Sequence, residues 1–340
     1  MQAPLGGGPS TPELAAAVSG AGGLGFLAAG YKTADALQSD IARTRELTAA
    51  PFGVNLFFLS ETAVDPDRLS LYARRLEPEA RRYGIELGKP QFEDDAFDAK
   101  LDVVDAASVP IVSFTFGCPP SQVIERLHER DVAVWATVTE VDEALHARDA
   151  GADALVVQGV EAGGHRGSFD DADGRGEVAV LLLLRLVARA VDVPLVASGG
   201  IVDGASVAAV LAAGAHAAQI GTGFLRTPEA GTSRPHREAL ARRERTALTR
   251  AFTGRRARGI VNRFLSEHGH DAPSAYPHVH HLTSPLRAAA REAGDPETIN
   301  LWAGQAYPLA EEVPAAELVR RWSADARSAL AEAQARFSAE

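Results

Sequence analysis

The chain has 340 residues, 46% of them hydrophobic and 23% charged, with a formal net charge of −11. That balance gives one large globular domain or two modest ones and argues against a nucleic-acid or anionic-membrane partner. A single cysteine, Cys118, excludes an internal disulfide, and the longest apolar run, Val178 to Leu184, is far too short to span a bilayer. The N-terminus has no basic segment followed by an apolar run, so a cytoplasmic location is expected.

Taken in order, residues 1–8 read as a loop with no strand before it. Ser10-Thr-Pro-Glu13 opens a helix that stops at Gly20-Ala-Gly-Gly23, and Leu24 to Leu27 is a short strand. Gly20 to Gly25 matches G-x-G-x-x-G, but the dinucleotide fingerprint needs a strand before its glycines and a helix after them. Here the order is reversed, so the glycines stop a helix and allow close helix–strand packing. A helix over 33–49 leads to the strand Pro51 to Phe58, which carries the polar Asn55. A buried hydrogen bond and a ligand contact are both open for that amide. Residues 61–107 are helical in pattern, and Glu93-Asp-Asp95 reads as solvated surface.

A strand over 110–116 ends at Gly117-Cys118, and Cys118 reads as a small apolar filler. Helix 121–130, strand 132–137, helix 140–149 and strand 154–158 follow. That strand runs into Gly159-Val-Glu-Ala-Gly-Gly-His-Arg-Gly167, where one histidine, His165, stands among four glycines. Glycine lets backbone approach a ligand closely, and a loop at a strand's carboxyl end is where parallel α/β scaffolds place their chemistry. Helix 177–190, a strand ending in Ser198-Gly-Gly-Ile201, a helix capped by Asp203 and a strand over 217–222 complete the pattern. Seven strands are thus expected, with residues 1–5 as the end of an eighth, and eight βα units make a closed (β/α)8 barrel.

After Arg226 the pattern changes. Residues 234–265 read as helical, with Arg242, Arg243, Arg245, Arg250, Arg255, Arg256, Arg258 and Arg263 on a solvated face. His268, His270, His278, His280 and His281 have no metal-ligand spacing, so no metal is expected. A helix begins near Leu282, Asn300 to Tyr307 is an aromatic loop, and a last helix spans about 315–337.

Ser198-Gly-Gly-Ile201 and Gly221-Thr222-Gly223 fall in adjacent βα loops. There, backbone N–H groups and a helix N-terminus commonly hold phosphate. These loops carry no lysine for a Schiff base, and the chain has no G-x-S-x-G elbow. A barrel with a phosphate site and a lone histidine borrows its reactivity from a cofactor.

Gln2-Ala-Pro-Leu-Gly-Gly, Gly53-Val-Asn-Leu-Phe, Gln158 through Gly167, Ala197-Ser-Gly-Gly-Ile-Val-Asp-Gly and Gln219-Ile-Gly-Thr-Gly-Phe resemble the motifs of nitronate monooxygenases. The Glu-Ala-Gly-Gly-His core is shared with FMN-dependent enoyl-acyl-carrier-protein reductases and NADH:quinone reductases. Asn262-Arg-Phe, Leu282-Thr-Ser-Pro-Leu-Arg and Asn300-Leu-Trp-Ala-Gly-Gln look like class I of the nitronate enzymes. The resemblance implies an FMN-bearing TIM (β/α)8 barrel over 1–225. It also implies a late-inserted helical substrate domain over 226–312, and a final helix over 313–340 that returns to the barrel. It implies oxidation of alkyl nitronates, propionate 3-nitronate among them, by O2 to a carbonyl compound and nitrite. By motif, His165 is the catalytic base or the positive partner of the nitronate, with Arg166 beside it. Asn55, Gln158 and Gly163 would contact the flavin, and Gly199, Gly200, Gln219, Ile220, Gly221 and Thr222 would hold its ring edge and phosphate. Trp302 and Gln305 would close over the site. No metal, nucleic acid or membrane is implied, and an oligomer is compatible.

The chain departs from the family in its first strand, of which Met1 leaves almost nothing. That predicts a truncated strand and an exposed sheet edge. Leu5 stands where the family usually has Met. The competing reading is an FMN-dependent NAD(P)H reductase of quinones or enoyl thioesters, and a third is a barrel that only binds a phosphate ligand.

Overall fold

The computed structural model describes residues 1–171, 175–242 and 244–338. Thr11 caps α1 (Pro12–Gly20) through its hydroxyl, and Pro12 suits the first turn because its missing N–H has no intrahelical partner there. β1 (Gly25–Ala28) follows directly. The Gly20–Gly25 segment serves packing: a Cβ on Gly25 would lie 2.2 Å from the Ala15 carbonyl oxygen.

α2 (Ala34–Leu47) leads to β2 (Phe52–Phe57), and α3 (Pro66–Arg82) and α4 (Phe97–Ala107) precede β3 (Ile111–Thr115). Then come α5 (Ser121–His128), β4 (Ala133–Val138), α6 (Val141–Ala150), β5 (Ala154–Gln158) and the two-residue β6 (Gly164–His165). α7 (Val180–Ala190), β7 (Leu195–Ser198), α8 (Gly204–Ala212) and β8 (Ala217–Gln219) complete the repeating part.

Seven strands form one parallel sheet in the order β1-β2-β3-β4-β5-β7-β8. Their helix-facing sides and the covering helices share one apolar core, including Leu14, Leu27, Val54, Phe114, Val134, Leu155 and Leu195, while Phe26, Trp135, Val156 and Val196 cluster on the opposite face. Each fully buried aliphatic side chain of this kind contributes roughly 1.5–3 kcal/mol. The sheet curls until its two outer strands flank residues 1–3. Gln2 N–H donates to Leu24 O (2.9 Å), Ala3 N–H to Ile220 O (2.8 Å), and Ile220 N–H to Met1 O (2.9 Å). The exposed edge expected at this joint is therefore absent, because a short extended segment supplies the missing backbone partners on both sides.

The late region corrects the expectation of an all-helical insert. α9 (Arg234–Leu240) is short, and β9 (Thr246–Thr249) and β10 (Ala257–Ile260) form an antiparallel pair. β6 joins β10 to make a three-stranded sheet. α10 (Arg263–His268), α11 (His278–Glu292) and the long α12 (Ala315–Phe337) follow, and α12 packs against α8 and α1. The helical reading of 234–265 gives way to a strand pair, and its arginines divide: Arg242 and Arg245 are exposed as expected, whereas those of β10 and the turn before it are not solvent-facing. Arg255, Arg256 and Arg258 are each 6% exposed. Arg255 donates to the Arg166 and Ser168 carbonyls, Arg256 pairs with Asp171, and Arg258 donates to Val160 O. Arg243 lies outside the described residues.

α3 shares a second apolar cluster with the late region, where Tyr72 and Leu76 meet Phe252, Phe264, Leu282 and Leu286. Asp95 also departs from the solvated reading. It pairs with buried Lys100 (2.6 Å) and accepts the Tyr31 N–H (2.9 Å). Among the described residues no helix is long and apolar enough to cross a membrane.

Candidate active site

The carboxyl ends of the parallel strands open into a cavity of about 530 Å³. Strand register sets its floor: Gln158 pairs with Ser198 and Ser198 with Gln219, in one row across three strands. Asn55, Gln158, Gly163, His165, Gly199, Gly200, Gln219, Gly221 and Thr222 all line it. Ile220 does not; its side chain is buried in the core and its backbone pairs with residues 1–3. Strand alternation explains this, since Gln219 and Ile220 must point to opposite faces. Trp302 lines the cavity, whereas Gln305 is exposed and donates its backbone N–H to Glu161 O.

His165 sits in an aromatic enclosure, with ring centroids 5.8 Å from Phe116, 5.6 Å from Tyr276 and 5.5 Å from Trp302. Its Nε2 lies 2.9 Å from Thr253 Oγ1. Burial, with the Arg255 and Arg287 cations nearby, pushes its pKa down to about 3. The imidazole is therefore held neutral, which favours the base role expected for His165 over the cationic one. The Thr253 hydroxyl is 3.3 Å from Arg255 O. With its proton donated there, Thr253 accepts from His165 Nε2–H, which leaves the lone pair on Nδ1.

Arg166 is fully buried and faces away from substrate space. Its guanidinium donates to Gly176 O, Gly159 O, Gln158 O and Gln158 Oε1. Every one of these partners belongs to the chain's own loop, so Arg166 fastens the loop instead of meeting an anion. Gln158 works with it: Oε1 also accepts the Gly167 N–H and Nε2 donates to His165 O. The cations on the cavity wall are instead Arg287, which is buried, and the exposed Arg291, both from α11.

The glycines divide into two kinds. A Cβ on Gly163 would lie 2.4 Å from Gly304 N and 2.5 Å from Ala303 C, so this glycine makes room for the 303–304 backbone. Gly199 and Gly200 have φ of 114° and 71°, left-handed values that favour glycine. The Gly200 and Ile201 N–H groups find no protein acceptor among the described residues. The nearby N-terminus of α8 is already closed by its capping box, in which Asp203 Oδ1 accepts the Ser206 N–H (2.7 Å). An anion here would thus rest on loop N–H groups and not on that helix end. Thr222 Oγ1 accepts the Gly304 N–H (2.9 Å), and its own hydroxyl proton has no protein acceptor among the described residues.

The residues suit a large, partly polar, phosphate-bearing cofactor. Gln219 is 4% exposed and its amide has no protein partner among the described residues. Asn55 is 2% exposed and donates to Ser113 and Thr115, but nothing in the described protein donates to its Oδ1. Buried amides without partners are costly, and both face the cavity.

Several cavity residues had no sequence signal pointing to them: Tyr31, His236 and Thr253. Arg287 figured only as the last residue of the motif Leu282-Thr-Ser-Pro-Leu-Arg, with no role attached. His280 was noticed only for its spacing from other histidines. Tyr31 and Phe116 have φ of 68° and 78°, strained for side chains of this size. His268 lies with Glu79 and Glu267, but Arg263 donates to both carboxylates (2.6 Å each), where a cation would sit. Cys118 is buried, and its thiol pKa is pushed up to about 12.

A parallel α/β sheet with a neutral histidine and unpaired amides at its carboxyl ends defines a cofactor-dependent enzyme class. The family described as Nitronate monooxygenase matches residues 1–325, and the chain belongs to that family of flavin-dependent oxidoreductases. A probable nitronate monooxygenase of Staphylococcus aureus (strain Newman) is 39% identical over 317 residues, covering 91% of this chain and 88% of its own. One from Staphylococcus saprophyticus is 37% identical over 325 residues, covering 92% and 90%. Among solved structures, the nitroalkane oxidase from Streptomyces ansochromogenes has a TM-score of 0.94 at 52% identity, covering 96% of this chain and 95% of its own. FabK from Thermotoga maritima has a TM-score of 0.74 at 27% identity, covering 98% and 94%.

Proposed function

We propose that the protein is an FMN enzyme that oxidises alkyl nitronates with O2 to a carbonyl compound and nitrite, with His165 as the base for nitroalkane substrates. The observation that carries this reading is the neutral His165, enclosed by Phe116, Tyr276 and Trp302 and facing the same cavity as the unpaired Gln219 amide and the free Asn55 Oδ1. The fold is read as a (β/α)8 barrel with residues 1–3 in place of its first strand, and 226–312 as a mixed substrate-binding insert. Gly199, Gly200, Gly221 and Thr222 hold the phosphate, Asn55 and Gln219 meet the ring edge, and Gln158 and Gly163 shape the wall.

When bound, flavin supplies electron transfer between substrate and O2. The protein does the rest. A neutral imidazole can take the α-proton of a nitroalkane, which an imidazolium cannot. Arg287 compensates the anionic charge that results, and the aromatic enclosure keeps water from the reacting carbon.

The alternative, an NAD(P)H-dependent reductase, is favoured by no residue of this cavity, and the family match goes against it. Anaerobic mixing tests the choice. The purified protein should show flavin absorbance, and a nitronate should bleach it. Bleaching by NADH but not by a nitronate would overturn the reading.

A further inference from the structure

His280 projects from α11 into the cavity and stacks face to face on Tyr31, with centroids 4.3 Å apart and planes at 7°. The Tyr31 hydroxyl meets that of Tyr276 (3.1 Å), and the Tyr31 backbone N–H is held by Asp95 (2.9 Å). The ring plane of His280 is therefore fixed from one side.

Its tautomer is fixed from another. Arg287 Nη2 lies 3.2 Å from His280 Nδ1 and 3.0 Å from His280 O. A guanidinium has donors and no acceptor. Nδ1 of His280 must then accept, and the neutral ring carries its proton on Nε2. No protein atom among the described residues takes that Nε2–H, while the ring lines the cavity. Arg287 is itself locked, with Nε donating to Thr283 Oγ1 (3.1 Å) and Nη1 reaching Asn300 Oδ1 (3.4 Å). It has no carboxylate partner among the described residues.

We propose that Arg287 holds His280 as the Nε2–H tautomer, so that His280 gives a permanent hydrogen bond to a nitronate oxygen on the wall that Tyr276 shares with His165. This rests on the nitronate reading above. The two histidines divide the work: one is free to accept a proton, and the other is barred from accepting one. Protonation of His280 would place an N–H against the guanidinium. Burial, then the charge of Arg287, lowers its pKa to about 2. Tyr31 and Tyr276 face it as neutral phenols, both with pKa values raised by burial. His280 thus stays an uncharged donor across the working pH range, and Arg287 behind it supplies the positive charge.

The test uses holoenzyme labelled with 15N-histidine, with His280→Asn to assign the resonance. We expect an Nε2–H pattern that does not change between about pH 5.5 and 8, and loss of that pattern in Arg287→Met. An Nδ1–H pattern, or a titration near the ordinary histidine value, overturns the assignment. In steady state with propyl-1-nitronate, His280→Phe keeps the stack on Tyr31 but loses the donor. Its KM should rise about ten- to a hundred-fold at unchanged flavin content, with partial recovery in His280→Gln. An unchanged KM in His280→Phe overturns the donor role. If the wild-type protein binds flavin but turns over no nitronate, the nitronate reading and this donor role fall together. The nitrogen spectra still decide the tautomer.

Discussion

His236 Nε2 donates to the backbone oxygen of Trp302 across 3.0 Å and so ties α9 to the loop that walls His165. His236 is buried, and burial lowers its pKa to about 4. The unfolded chain takes up a proton near pH 6.5 that the folded chain refuses. Stability from this group is thus fully present above about pH 6.5 and is lost as pH falls toward 4, by at most about 3 kcal/mol. Urea titrations at several pH values should show this slope, and His236→Gln, which keeps a donor without the titration, should lessen it by about one proton's share, since His165 and His280 refuse protons over the same range. Equal slopes in the two proteins would remove His236 as the cause.

His165→Asn should keep bound flavin and lose about 10²- to 10⁴-fold in nitroalkane turnover, the usual worth of a positioned base. Preformed nitronates need no α-proton removed and should suffer less. Nitrite release with each substrate form measures the difference. Equal losses on both forms would assign His165 to binding instead of proton transfer.

Arg166→Met should destabilise the fold by about 3 kcal/mol or more, because it takes a charged donor from three backbone carbonyls and from Gln158 Oε1 in a buried loop. Flavin content should fall with it. A stable variant with full flavin and raised KM would instead restore Arg166 as an anion partner.

Gly163→Ala and Gly164→Ala form an informative pair. At Gly163 the new methyl meets the 303–304 backbone, at a cost of roughly 1–3 kcal/mol, and the Thr222–Gly304 bond loosens. At Gly164, φ is 74° and nothing lies within 4 Å, so only backbone strain of roughly 1 kcal/mol arises. Thermal midpoints should rank Gly163→Ala below Gly164→Ala, and the reverse order would contradict the packing role.

Cys118 is 6% exposed, with a thiol far from ionisation at neutral pH. A disulfide reagent should modify it only as fast as the native protein opens. Rapid stoichiometric labelling of folded protein would refute that burial.

The parallel sheet was legible because its strands are apolar runs closed by glycine stops, a signal that depends only on local spacing. Asn55 stood out as a polar amide inside such a run and His165 as the one histidine of a glycine loop, whereas Gln158 and Gln219 were named only by resemblance to a family's motifs. Arg255 and Arg258 misled, since arginine in sequence looks solvated and only the fold shows the carbonyls that receive it. Tyr31 and Thr253 were silent because their roles arise from partners 245 and 88 residues away, in the Tyr31–Tyr276 and His165–Thr253 contacts. Arg166 shows how adjacency misleads, since neighbours along a strand face opposite ways.

β6 is only two residues long, yet it joins the end of β5's loop to β10 of the late region. His165 stands at that seam, with its backbone in a strand pair that spans both halves. The late region therefore cannot swing away as a lid without pulling the histidine from its place. Small molecules must come and go through a fixed aperture, so side-chain movement at the cavity mouth would set the rate of product escape.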